Sequence, residues 1–252
     1  MATATTTLPA EREPALLGQT VIVIGGSAGI GLATARRARA EGADVILVAR
    51  NQKRLERAAR EVDARHTAAV DVNDPAAVRR FFDSLDGPID HVLVTGPGPS
   101  YVPLLEMNAD QVRDALAGHV VVSLEVARRA APKMRPGGTL LFMGGTGGRR
   151  ISRALGITPA ATAALPPFAA TLALELAPIR VNLIAAGFVD TPLSASLLGE
   201  GLEARRAELR ARLPIGRVVG PDDVAALAVH IMINTALTGA TYDIDGGQQF
   251  VF

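Results

Sequence analysis

The first chemical signal is a run of small residues, Gly25-Gly26-Ser27-Ala28-Gly29-Ile30-Gly31. Glycines there allow a tight turn and an approach that side chains would block. The N–H groups and dipole of a following helix favour an anion, so the loop suits a pyrophosphate if it joins a strand to a helix. The second signal is Val48-Ala49-Arg50-Asn51. An acid at the end of the second strand of a dinucleotide fold accepts hydrogen bonds from a ribose 2′-hydroxyl and repels a 2′-phosphate. Ala49 stands there instead, and the Arg50 guanidinium that follows can pair with a phosphate through two hydrogen bonds. The pair favours NADP(H) over NAD(H), the alternative being that Arg50 is a solvated charge at a helix start. Proton-transfer groups are scarce, with four histidines, two tyrosines and no cysteine. Thiolate chemistry, disulfides and cysteine-based metal sites are excluded. His66, His91 and His230 fall at a strand edge, a strand start and a helix face and read as structural. No cluster has metal-ligand spacing, so no metal is expected.

These residues need a scaffold. Unbroken apolar strands are expected at residues 20–24, 44–49, 67–70, 89–94, 139–143, 179–184 and 241–244. Helices are expected at 30–40, 52–64, 75–85, 110–134, 193–212 and 221–233, with a further one leading into the sixth strand. Apolar strands alternating with helices imply a parallel sheet covered on both faces, and right-handed crossovers make it doubly wound. The expected fold is therefore an α/β Rossmann-type sheet of about seven strands with helices on both faces, which binds ligands beyond the carboxyl ends of its strands. Residues 1–15, rich in Ala, Thr and Pro, read as a disordered arm, and residues 16–252 as a single domain. No internal repeat is visible.

In this order the motifs resemble the short-chain dehydrogenase/reductase superfamily over nearly the whole chain, from Gly18 to Gly247. The glycine spacing of that family falls on Gly25, Gly29 and Gly31. Its acidic residue after strand three, which holds the adenine amine, falls on Asp71 beside Val72. Arg180-Val181-Asn182 and the later Gly187-Phe188-Val189-Asp190-Thr191 match its sixth-strand region, although Ala186 replaces a proline. Thr238-Gly239 and Asp245-Gly246-Gly247 also match. The resemblance implies that Ser27, Ile30, Asn51 and Gly96 line the cofactor, that Val189 and Thr191 hold the nicotinamide carboxamide, and that residues 190–213 form a substrate lid. Leu193, Leu197 and Leu198 would then present apolar surface to a small hydrophobic substrate.

The match fails at the proton-transfer positions. The family uses a Tyr, a Lys four residues later, a Ser and an Asn. Here Tyr101 and Tyr242 are followed at that spacing by Leu105 and Gly246. The resemblance places Thr158 at the tyrosine position, Thr162 at the lysine position, Gly145 at the serine position and His119 at the Asn position. His119 would face the nicotinamide end, where an imidazole titrating near pH ~6.5 can shuttle a proton; the alternative is a histidine bonded for packing. Tyr101, in the loop after strand four, is either a proton donor from the opposite wall or an aromatic lining residue. Thr158, Thr162 and Thr146 can hydrogen-bond a carbonyl or a ribose but are poor acids. Pro166 and Pro167 fall inside the expected fifth long helix, where each would cost about 3 kcal/mol. Either that helix kinks, or it begins near Pro166 after a looser segment carrying the two threonines.

Three functions are compatible with these residues. The first is an NADP(H)-dependent oxidoreductase with a rebuilt proton relay, acting on an activated C=C or C=N bond. The second is a catalytically silent NADP(H)-binding regulatory or scaffold protein. The third is a non-redox enzyme on the same fold. The chain has 252 residues, 20% of them charged, and a net charge of +1, so neither nucleic acid nor an anionic membrane surface is expected as partner. The longest apolar runs are too short to span a bilayer and residues 1–30 lack a secretory pattern, so a cytoplasmic protein is expected. The resemblance and the apolar tail Phe250-Val251-Phe252 imply a homodimer or homotetramer.

Overall fold

The inner strands of the sheet are stabilised on both faces by alternate side chains. In β1 (Thr20–Ile24), Ile22 and Ile24 point to one face and Val21 and Val23 to the other, and all four are buried. The same alternation continues through β2 (Asp44–Ala49), β4 (Ile89–Val94) and β5 (Met134–Gly145). A computed structural model describes residues 13–99, 102–149, 151 and 155–251. Its seven strands are all parallel, in the order β3-β2-β1-β4-β5-β6-β7, where β3 is His66–Ala69, β6 is Arg180–Ala186 and β7 is Thr241–Ile244. This is the doubly wound Rossmann-type sheet expected from the alternating pattern.

One face packs against α3 (Pro75–Asp83), α5 (Val122–Ala130) and α7 (Leu165–Glu175), burying Phe81, Phe82, Val126 and Leu172 with Ile22, Val92, Leu140 and Leu183. The other packs against α1 (Gly29–Ala40), α2 (Gln52–Val62) and α10 (Pro221–Ile233), burying Ala35, Leu55 and Val224 with Val23, Leu47, Leu141 and Ile184. Asn51 caps α2 and Asp74 caps α3, and Pro75 occupies the first turn of α3 where its missing N–H costs nothing. Leu16 is fully buried, and its N–H donates to the carbonyl of Glu41. Among the described residues no helix is long and apolar enough to cross a membrane, and no group of side chains could hold a metal ion.

Three expected helices are divided. The span 110–134 becomes α4 (Ala109–Leu116), a wide π turn (Ala117–Val121), α5 and a short 3-10 turn. The span 193–212 becomes α8 (Pro192–Leu198) and α9 (Leu202–Arg212), separated by a turn over Gly199–Gly201. The proline-bearing span is α6 (Thr158–Ala163) followed by α7, with the break at Ala164. Pro166 and Pro167 thus lie in the first turn of a new helix, where they remove no hydrogen bond that it needs, but the segment before it, expected to be loose in that case, is itself helical.

The amino ends of the strands are tied by buried side chains. Asp90 accepts from the backbone N–H of Thr20 at 2.8 Å and from Arg135 at 2.7 Å. Arg180 donates to the carbonyls of Gly137, Ile231, Met232, Asn234 and Leu237, which closes the carboxyl end of α10 against the sheet. His91 Nε2 donates to Oε1 of Gln19 at 2.7 Å, while its buried Nδ1 meets no partner among the described residues. A second proton would have to enter at Nδ1. Burial disfavours it, nearby Arg180 opposes it and adjacent Asp90 only partly compensates, so the pKa falls to about 4.

A histidine depressed in the folded state is protonated more readily when unfolded. Its contribution is therefore complete above pH ~6.5 and is lost as pH falls toward 4, by about 3 kcal/mol in all. Urea unfolding between pH 7.5 and 4.5 should show this loss in the wild type. In His91→Gln the acid-side slope should be shallower by the contribution of one histidine.

Candidate functional site

Beyond the carboxyl ends of the strands lies a cleft of about 660 Å³. Glycine shapes its floor. Gly25 has φ +87°, and a Cβ there would lie 1.8 Å from Oγ1 of Thr95, which is itself fixed by donating to the carbonyl of Ile24 at 2.9 Å. A Cβ on Gly31 would lie 2.3 Å from the carbonyl oxygen of Gly25, so only glycine lets α1 start this close to the loop. At the N-cap of α1, Ala28 brings no capping side chain, and the first turn holds no acid. By contrast α2, α3 and α4 are each capped by a side chain. The amide groups of α1 are therefore left to the cleft, and a pyrophosphate fits them in charge and in space.

The cleft gathers Gly25, Gly29, Ile30, Gly31, Arg50, Gly96, His119, Thr158, Thr162, Val189 and Thr191 from the expected site residues. Leu193, Leu197 and Leu198 of the expected lid line it as well. Ser27, Asn51, Asp71 and Val72 do not. Ser27 is half-buried in the loop, and Asn51 accepts from the N–H of Arg54 at the start of α2. Asp71 accepts from both the backbone and the side chain of Asn73 at 3.0 Å. Val72 faces a second, smaller hollow with Asn73 and Pro97. Tyr101 lies outside the described residues.

His119 sits in the π turn and is buried. Its Nδ1 lies 2.8 Å from the carbonyl of Ala115, and a carbonyl can only accept. The proton is thereby placed on Nδ1, and Nε2 becomes the nitrogen available to the cleft. Ser123 donates to the carbonyl of His119 at 2.6 Å, satisfying a group in the widened helix. Thr162 donates to the carbonyls of Thr158 at 3.0 Å and Pro159 at 3.2 Å, so its proton is used within α6. At Gly145 a Cβ would meet only ordinary contacts, 3.5 Å from the carbonyl of Ala186, so a larger residue would fit and none is present.

The far wall follows β6. Phe188 donates its N–H to Oε1 of Gln248 at 2.8 Å, and Val189 bridges to Val219. Thr191 caps α8 and packs 3.5 Å from where a Cβ of Gly29 would stand, joining this wall to the phosphate loop. Arg206 of α9 holds Asp190 at 2.7 Å, and its hydrogen bonds to Asp190 and Glu203 keep the guanidinium above its ordinary pKa. Arg205 and Gln248 also line the cleft. Sequence reading passed over both, and for Arg205 the reason is that α9 carries four arginines without a pattern that separates one from the rest.

A doubly wound sheet with this loop and cleft defines a Rossmann-type α/β protein. Residues 25–249 match the family described as enoyl-(acyl carrier protein) reductase. A short-chain dehydrogenase/reductase of Stachybotrys chlorohalonatus is 30% identical, covering 93% of this chain and 98% of its own. The solved structure of BdcA in complex with NADPH is 28% identical with a TM-score of 0.82, covering 92% and 95% of the two chains. The MalC reductase/Diels-Alderase from Malbranchea aurantiaca shares the fold, with a TM-score of 0.88 at 22% identity over 93% and 98% of the chains. The chain belongs to the short-chain dehydrogenase/reductase superfamily of oxidoreductases.

Among the glycines that line the cleft, the closest approach to rigid backbone is at Gly31, 2.3 Å from the carbonyl oxygen of Gly25. Gly31→Ala must push α1 away from the loop, so it should lower the unfolding midpoint and weaken the binding of a dinucleotide at least about tenfold, read by thermal unfolding and fluorescence titration.

Proposed function

We propose that the chain is an NADP(H)-dependent oxidoreductase whose proton relay is built on His119 rather than on a Tyr-x-x-x-Lys pair. The observation that carries this reading is the orientation of His119, with Nδ1 tied to Ala115 and Nε2 left to a cleft that the phosphate loop also lines. When bound, the cofactor supplies or accepts hydride. The uncapped start of α1 and the glycines around it suit its pyrophosphate. Arg50, exposed at the end of β2 with no acid beside it, suits a 2′-phosphate. The NADPH complex of a 28% identical relative supports the same preference.

Neutral His119 takes a proton at Nε2, and its imidazolium gives one there, while Ala115 keeps the ring orientation fixed in both states. Thr158 and Thr162 position substrate or ribose without exchanging a proton. The apolar wall of Leu193, Leu197 and Leu198 selects a small hydrophobic substrate. An activated C=C or C=N bond suits this arrangement, because its reduction has less need of the phenolic acid that the family otherwise supplies. The reading takes residues 16–252 as one domain acting in the cytoplasm as a homodimer or homotetramer, which the exposed Leu124, Leu174 and Phe250 support.

Stopped-flow absorbance of NADPH against ketones, enones and imines tests the activity. Oxidation with one class is expected, whereas tight binding without oxidation across the panel would favour the silent NADP(H)-binding alternative. His119→Gln should lower kcat about 100-fold and leave NADPH affinity unchanged. An unchanged kcat would remove His119 from the relay. Arg50→Ala should raise the Kd for NADPH about tenfold or more and leave that for NADH unaltered.

A further inference from the structure

Gln248 lines the cleft and has no part in the functional reading. It is buried, with 7% of its surface exposed. Its amide has two ends with different duties. Oε1 accepts from the N–H of Phe188 at 2.8 Å, and because an N–H can only donate, the amide cannot be turned over. Nε2 therefore stands on the other branch. It has no partner among the described residues, and unlike Nδ1 of His91 it is not sealed from solvent.

The amide is held in place from several sides. The carboxylate of Asp245 accepts from the N–H of Gly247 at 2.8 Å and of Gln249 at 2.9 Å, and the N–H of Gln248 donates to the carbonyl of Asp245. A Cβ on Gly247 would lie 2.6 Å from Cγ of Pro214, so the turn is packed as well as bonded. On the opposite side a Cβ on Gly187 would lie 2.7 Å from Oε1, so glycine is what lets the amide sit this close to the wall. A donor fixed before a ligand arrives loses little freedom when it is used.

Nε2 carries two N–H donors and no acceptor, so it selects an oxygen acceptor. The neighbouring lining residues Met143, Leu155, Leu193 and Leu197 offer such an oxygen no hydrogen bond from their side chains. A ligand oxygen that leaves water for the cleft recovers its lost hydration only where it meets a donor. The amide is neutral and does little to offset the desolvation of an anion, so an uncharged carbonyl fits it best. The resemblance gives the nicotinamide carboxamide to Val189 and Thr191, which leaves Gln248 to the substrate.

We propose that Gln248 is a specificity-determining residue whose Nε2 donates to an uncharged carbonyl oxygen of the substrate. This rests on the reading of the cleft as the NADP(H) and substrate site.

Gln248→Glu separates the two duties of the amide, because a carboxylate still accepts from Phe188 but cannot donate. Calorimetric titration of the full chain saturated with NADP⁺, which has no hydride to give, uses three planar probes of similar shape. They are acetophenone, α-methylstyrene (a CH2 in place of the oxygen) and benzamidine, a cation with donors only. Gln248→Glu should weaken acetophenone about fivefold or more, leave α-methylstyrene within about threefold and tighten benzamidine. The unfolding midpoint should stay in place, and the Kd for NADP⁺ within about threefold. Equal loss of acetophenone and α-methylstyrene in the variant, which means a structural role, would overturn the proposal. So would an unchanged affinity for acetophenone, failure of the wild type to bind acetophenone, or a tenfold loss of NADP⁺ affinity in the variant, which assigns Gln248 to the cofactor. If the wild type binds no NADP⁺, a loss specific to acetophenone in the free variant counts against the functional reading and leaves this one standing.

Discussion

A parallel sheet covered on both faces must finish the ends of its strands, and the two ends of this sheet are finished in opposite ways. At the amino ends, polar side chains seal the backbone. Arg180 gathers five carbonyls, Asp90 takes the first amide of β1 and the guanidinium of Arg135, and His91 is tied to Gln19. At the carboxyl ends, Gly25, Gly96, Gly145 and Gly187 withdraw side chains and leave room. Burying groups that have no water requires the first arrangement, and admitting a ligand requires the second. The position of the site follows from that asymmetry before any catalytic residue is considered.

The fold was legible because its signals are local and repeated. The apolar run Val21–Ile24 of β1 admits little but a buried strand, and the glycine loop stands between that strand and the first helix. The interruptions were harder to read. Nothing in Ala117–Val121 apart from Gly118 marks a widened turn, since such turns arise from how a helix seats on its neighbours, here with Gly118 against Pro97. The break at Ala164 was visible as two prolines but not as a position, because the first turn and the interior of a helix look alike until its start is known. Gln248 was invisible for a different reason. Its meaning comes from Phe188, which is distant in sequence.

The cleft also shows how its polar groups are divided between scaffold and chemistry. Thr162 and Thr191 each use a side-chain oxygen on nearby backbone, as caps and turns commonly require. His119 spends one nitrogen in the same way and keeps the other. A group with two distinct polar atoms can be both anchored and available, which a single hydroxyl engaged with its own helix achieves less well.

The seam at Ala164 has a wider consequence. α7 beyond it is committed to the core through Leu165, Ala169 and Leu172, whereas α6 before it docks on the Thr146–Arg149 turn, where Gly148 comes within 2.8 Å of Ala163 at its virtual Cβ. Ala164 itself keeps helical φ and ψ, so the two helices stay joined end to end, and Thr158, Ala161 and Thr162 are buried before the joint as Leu165 and Ala169 are after it. A residue inserted or removed ahead of the joint would turn that buried face about 100° out of place, so the cleft wall and the core share one rotational register.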